Sequence, residues 1–342
     1  MTGSDTGIVV GPVGDRTVYP PGSVAGAGRV TPRPARRWTR SVSSRRARTR
    51  LELVVLLGPA LLLFVGFVLV PIGIAGYYSV YNWSGFGPLN DFVGIENYKA
   101  ALTGPVFQHA IVHNLIIAGL SIVIQLPISI SLALLLNRNL HGRRFLRLVV
   151  FAPYVLSEAI TAVIWYLMLQ PSGFVDQILT SVGLGGFIHL WLANTSIVLY
   201  TLFAVITWKY IGFGIILLLA GLQGVPVELT EAAILDGATP WQRTRFVTLP
   251  LLGPTIRIWI FLSVIGSLQL FDLVWIMTLG GPANASTTMA TYLIDHGFKR
   301  YEFGYGSAVA VILFVICFAF ALVYQRFALR RDTNGALTRA VG

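Results

Sequence analysis

GLQGVPVELTEAAILDGATPWQR, residues 221–243, is polar enough to sit in water yet lies between long apolar runs, and its reading decides what kind of molecule this is. Pro226 suits a first helical position, and Glu228 and Glu231 favour the positive N-terminal end of a helix. Gly237 can take the left-handed conformation that closes a helix. Thr239-Pro240-Trp241-Gln242 then has the S/T-x-x-E/Q form of a capping box, with proline at the first helical position. The stretch therefore reads as two short helices around a rigid bend. A helix this short is marginal alone in water, so its small apolar face, Leu229, Ala232 and Ala233 with Trp241 and Phe246 nearby, needs a cover. A partner protein supplies one, and so does the headgroup layer of a bilayer. The pattern alone leaves both open.

On either side of this stretch the chain is made for lipid. Of 342 residues 55% are apolar and only 11% charged, with a mean hydropathy of +0.73, and the apolar residues fall in blocks of about 20 or more, the length that crosses a bilayer as a helix. Six spans are expected, at about 53–80, 108–136, 146–169, 196–221, 256–278 and 305–327. Gly58-Pro59, Pro71, Pro127 and Pro153 interrupt them, as membrane helices tolerate when neighbours re-satisfy the freed backbone groups. The fold class is all-α: a polytopic membrane protein with about six transmembrane helices. Residues 51–328 form the membrane domain, with the polar loop at 222–250.

The net charge of +11 is unevenly placed. Ten of the 25 Lys and Arg precede Leu51, eight of them between Arg33 and Arg50, opposed only by Asp5 and Asp15. Residues 1–50 read as a disordered basic cytoplasmic tail that can touch anionic lipid, and 329–342 as a short cytoplasmic tail. A basic tail beside a first span follows the positive-inside rule, which argues against nucleic-acid binding. Arg138, Arg143, Arg144 and Arg147, then Arg243, Arg245 and Arg257, then Arg326, Arg330, Arg331 and Arg339 fall on the same side, against Lys99, Lys299 and Arg300 on the other. Both termini are expected in the cytoplasm of a plasma (inner) membrane protein.

Glu231-Ala232-Ala233, three residues, Gly237, nine residues, then Val247-Thr248-Leu249-Pro250 resembles the EAA loop of binding-protein-dependent ABC importer permeases, departing from its Ile-x-Leu-Pro ending only at Val247. Trp208-Lys209, Ala220-Gly221-Leu222-Gln223, Gly280-Gly281-Pro282, Phe298 and Gly304 to Ala308 are similar to the carbohydrate-uptake branch, and more to the first permease of its pair (the maltose or glycerol-phosphate type). The resemblance covers about residues 51–328. It implies that the Glu231 helix is a coupling helix docked on a separate ATPase, with Glu231, Ala232, Ala233, Asp236, Gly237, Thr239 and Pro250 in the coupling segment. It further implies a second permease, two ATPase subunits that bind the ATP and Mg, and an extracytoplasmic solute-binding protein resting on the external segments near Trp83, Trp191 and Gly280. Glu231 can offer its charge to the ATPase or simply serve its own helix end.

No energy source is legible in the chain itself. A P-loop needs Gly-Lys followed by Ser or Thr, and Lys99, Lys209 and Lys299 follow Tyr98, Trp208 and Phe298. No cofactor is expected in this chain. His109 and His113 stand four apart, without the glutamate of HExxH, and no metal site is expected. Cys317 is the only cysteine, so no internal disulfide is possible. No constellation of nucleophile and base points to an enzyme.

Polar groups inside spans are costly and mark cavities or helix contacts. Gln269 and Asp272 stand three apart, with Trp275 three further on, and are expected on one helical face. An amide, a carboxylate and an indole suit sugar hydroxyls and the apolar face of a pyranose, and they equally suit helix packing. Trp208, Lys209 and Tyr210 form a second cluster, in which Lys209 can snorkel or pair with Asp272 or Glu158. Asn114, Gln125, Trp165 and Tyr166 are weaker candidates for a cavity wall. The function expected is a permease subunit moving a sugar or oligosaccharide by alternating access. The alternatives are a permease for glycerol phosphate or a polyol, and a self-sufficient secondary transporter, against which the docking loop argues.

Overall fold

The computed structural model describes residues 42–138 and 141–329. The expectations for the tail up to Ser41, and for Arg330, Arg331 and Arg339, lie outside the described residues. Residues up to Ala60 and those from Leu61 onward form separate units, and the site described below belongs wholly to the second. The first helix begins at Val42, inside the stretch read as a disordered tail to residue 50. Arg and Ala are strong helix formers, and extending a helix already nucleated by an apolar span costs little.

Among the described residues the elements are helices, with a single isolated β-bridge between Tyr81 and Phe92. Four helices are long and apolar enough to cross a membrane: Leu53–Tyr78, Pro105–Asn137, Val198–Gln223 and Phe303–Ala328. Two bent pairs, Arg143–Val155 with Glu158–Met168 and Pro240–Leu251 with Gly253–Leu268, bring the number to six if each pair is one span. The two bends are 97° and 66°.

Two of the interrupting prolines, and Pro250 at the end of the polar loop, sit in the same local setting. Pro71, Pro127 and Pro250 each follow, two residues on, a five-residue π turn, at Val65–Leu69, Ser121–Gln125 and Thr244–Thr248. A proline inside a helix lacks a donor and its ring strikes the carbonyl four residues back, which here lies in the middle of the widened turn. The helix therefore continues past Pro71 and Pro127, whereas after Pro250 it stops at Leu251 and turns by 66° into Gly253–Leu268. Pro153 ends differently: the helix stops at Val155, and Ser157 caps a new one by accepting a hydrogen bond from the Ile160 N–H.

The third and fifth spans therefore differ from the continuous helices expected at 146–169 and 256–278. In the fifth, the helix stops at Leu268 and a separate short helix, Asp272–Thr278, follows after a break.

The long Val198–Gln223 helix is the centre of the packing. Leu202, Val205, Ile206 and Phe203 join Ile117, Leu273 and Val274 in one buried cluster, and Ile215, Leu218 and Leu222 join Ala133, Leu136 and Leu252 in another. Its close approach to Arg143–Val155 depends on Gly212, where an added Cβ would lie 2.3 Å from the Val150 carbonyl oxygen. Outward-facing apolar side chains, among them Phe67, Val123, Leu148 and Phe318, are exposed, as befits a surface solvated by lipid.

Candidate functional site at two broken spans

A cavity of about 340 Å³ lies at the break in the third span, between Val155 and Glu158, and at the break in the fifth, between Leu268 and Asp272. The second span supplies Ser121 and Gln125, the third Tyr154 and Glu158, the fourth Tyr210 and Phe213, and the fifth Trp259 together with the broken segment from Gln269 to Asp272. A broken helix exposes backbone groups that a continuous one satisfies, so each break needs partners. At the third span Lys209, only 3% exposed, donates from Nζ to the Leu156 carbonyl at 2.6 Å. The cation thus meets the negative C-terminal end of Arg143–Val155, and it feels the charge of Glu158, which opens the next helix. Glu158 also accepts a hydrogen bond from the Tyr210 hydroxyl.

The break in the fifth span is held by Asn114. Its amide donates to the Ser267 carbonyl at 2.6 Å and to the Leu268 carbonyl at 3.3 Å, and its oxygen accepts from the Met289 N–H at 2.9 Å. Thr288 adds a bond from its hydroxyl to the Leu270 carbonyl, and the His113 ring pairs through Nδ1 with the Thr287 carbonyl oxygen. One buried side chain therefore ties the second span, the end of Gly253–Leu268 and the start of Met289–Ile294.

The sequence-derived candidates separate on this geometry. Gln269, Asp272 and Tyr210 line the cavity, as does Gln125. Gln269 and Asp272 do not share a helical face, because the helix ends between them. Trp275 stacks on Phe271, and Lys299 Nζ lies 4.2 Å from its ring centre. Trp208 packs edge-on against Trp165, and Lys209 serves the break described above. Asn114 is a latch and lies outside the cavity wall. Sequence reasoning missed Ser121, Tyr154, Phe213, Trp259 and Phe271; Ile117, Ser121 and Gln125 recur at intervals of four along one face of the second span, which was the available signal.

The polar loop forms as read, with one shift. Pro226 is the cap and Val227 the first helical residue of Val227–Leu235. Gly237 has φ +79°, its N–H bonds to Ile234 O and that of Ala238 to Ala233 O, the paired bonds of a Schellman closure. Thr239 and Gln242 then exchange both bonds of the capping box. Asp236 caps the end of the first helix, and Pro250 follows the π turn in the second. The Glu231 helix buries none of its residues, and Leu235 is 88% exposed, with Trp241 and Phe246 each 67% exposed. Glu231 and Ala232 are exposed beside Leu229, and Ala233 is half-buried.

An all-α polytopic chain with a polar cavity between broken spans and an uncovered helical loop defines a membrane transport subunit. Residues 125–333 match the family described as "Binding-protein-dependent transport system inner membrane component". The chain is also 32% identical over 276 residues to the trehalose/maltose transport system permease protein MalF of Thermococcus litoralis, covering 80% of this chain and 92% of that one. With the diacetylchitobiose uptake system permease protein NgcF of Streptomyces coelicolor the identity is 31% over 291 residues, covering 82% of each. The structure of a bacterial ABC transporter that imports the acidic polysaccharide alginate shares the fold, with a TM-score of 0.73 at 23% identity over 84% of this chain and 98% of that one. The chain belongs to the family of binding-protein-dependent ABC importer permeases.

Proposed function

We propose that the chain is one of two permease subunits of an ATP-driven importer for a sugar or oligosaccharide, working with two ATPase subunits and an extracytoplasmic binding protein. The observation that carries this reading is the cavity between the broken spans, walled by Tyr154, Tyr210, Phe213 and Trp259 with Gln125, Glu158, Gln269 and Asp272 among them. Aromatic faces accept the apolar side of a pyranose ring, and carboxylates and amides accept its hydroxyls. Relatives whose names specify trehalose, maltose and diacetylchitobiose support a carbohydrate. ATP and Mg belong to the ATPase subunits, because no lysine here stands in a P-loop.

In this reading the Val227–Leu235 helix, with Glu231, Ala232 and Ala233 on its surface, docks on an ATPase. Closure of the two ATPases draws the docked helices together, and the spans rock between inward-open and outward-open states around the cavity. The Schellman closure at Gly237 and the capping box at Thr239 make the bend stiff, so motion passes to the fifth span through Pro250. Both termini and the docking helix lie in the cytoplasm, following the distribution of arginines.

The test is gentle purification of the tagged chain from its host, identification of bound proteins, and reconstitution of the assembly in liposomes. An ATPase, a second six-span protein and ATP-dependent sugar accumulation are expected. A chain that purifies alone and moves solute without ATP defeats the reading.

A further inference from the structure

The charged side chains in the cavity wall are all acidic, and we propose that it admits sugars lacking acidic groups, neutral or amino-bearing, and that Asp272 is the residue that turns acidic sugars away. This rests on the reading of the cavity as a cargo site. Two carboxylates, Glu158 and Asp272, are in its wall, and no Lys, Arg or His is among the lining residues. The nearest intramembrane cation, Lys209, is committed to the Leu156 carbonyl and balances Glu158, which the Tyr210 hydroxyl also satisfies. Asp272 has no hydrogen-bond or ion-pair partner among the described residues and is exposed within the wall. It is the cavity carboxylate without a hydrogen-bonding or ion-pairing side chain, at the start of the short helix Asp272–Thr278.

Gln125 and Ser121 also line the cavity, and neither side chain forms a hydrogen bond with another described residue. Their polar atoms open onto the cavity and are free to bond with what enters. Tyr154 and Phe213, stacked with ring centres 5.1 Å apart, give the wall an apolar face. A neutral sugar meets all of this with hydroxyls, one donated to Asp272 as a charge-assisted hydrogen bond, and an amino sugar does so with a full cation. A uronate or a sulfonated sugar places its anion where nothing pairs it, beside a like charge that salt screens poorly.

The experiment uses the assembled importer in nanodiscs and follows tryptophan fluorescence, with Trp259 in the wall as reporter. The probes are maltose, the dimer of glucosamine and digalacturonate, each titrated at low salt. Digalacturonate is expected to bind at least about tenfold more weakly than maltose, and the glucosamine dimer at least as tightly as maltose. Asp272→Asn should bring digalacturonate to within about threefold of maltose, and Asp272→Glu should keep the discrimination, which separates charge from folding. Equal binding of maltose and digalacturonate to the unaltered protein overturns the charge rule and leaves the cavity reading standing. Discrimination that persists in Asp272→Asn removes Asp272 from the role. No response to any of the three sugars overturns the cavity reading and the inference together.

Discussion

Gly237 and Lys209 are the two residues whose chemistry is most constrained by their places. At Gly237 an added Cβ would meet nothing within 4 Å, so substitution there acts through the backbone alone. Gly237→Val should cost about 1–3 kcal/mol at φ +79°, because a β-branched residue resists the left-handed region. We expect the altered bend to leave the ATPase turning over while ATP-dependent sugar uptake in liposomes falls severalfold; uptake per ATP unchanged from the parent would remove the bend from the coupling path. Lys209→Met keeps the length of the side chain and removes the cation from the Leu156 carbonyl and from Glu158. A loss of about 2–4 kcal/mol is expected, seen as a lower thermal midpoint of the purified assembly, since a carbonyl and a carboxylate are then left unmatched. A midpoint identical to the parent's would mean that another group supports the break.

At the scale of elements, the breaks matter more than the helices they interrupt. Asn114→Ala removes three hydrogen bonds that join the second span to Leu268 and Met289, and we expect weaker sugar binding together with faster hydrogen exchange in residues 268–289. Weaker binding with exchange unaltered would separate the latch from the cavity.

These same breaks mark where the sequence ceases to be legible. The closure at Gly237 and the capping box at Thr239 follow from local rules, and the structure carries them, as it carries four of the six apolar blocks as continuous helices. The break between Leu268 and Asp272 follows no local rule: no Pro or Gly lies between them, and it exists because Asn114 and Thr288, far away in sequence, bind the carbonyls it exposes. Reading through it as a helix placed Gln269 on one face with Asp272, whereas the structure ends the helix between them; Asp272 and Trp275 keep their spacing of three within Asp272–Thr278, with Lys299 over the Trp275 ring. Lys209 was likewise visible as an intramembrane charge, but its partner is a backbone carbonyl, which no pattern of side chains announces. Gln125 and Tyr210 were legible because each sits on a face of a long continuous helix.

For the whole molecule, the distribution of arginines carries the sidedness proposed above, and the single cysteine makes it easy to test. With Cys317→Ala as the background, Phe86→Cys, whose parent side chain is 72% exposed, should react with a membrane-impermeant maleimide in intact cells once any outer barrier is opened. Leu235→Cys, 88% exposed in the parent, should react only after the membrane itself is opened. The reverse pattern would invert the topology, and labelling of both from one side would deny the odd number of crossings between them.

The 97° bend of the third span also bears on how the protein is made. Its halves hold 13 and 11 residues, rising roughly 20 Å and 16 Å against a hydrocarbon layer of about 30 Å. Neither half can lodge in the bilayer as an independent stop during synthesis. The group that holds its break, Lys209, comes more than fifty residues later in the chain. We therefore expect a chain truncated ahead of Lys209 to leave the third segment more accessible to a membrane-impermeant label than the full chain does; equal labelling of the two would mean that the segment inserts without that support.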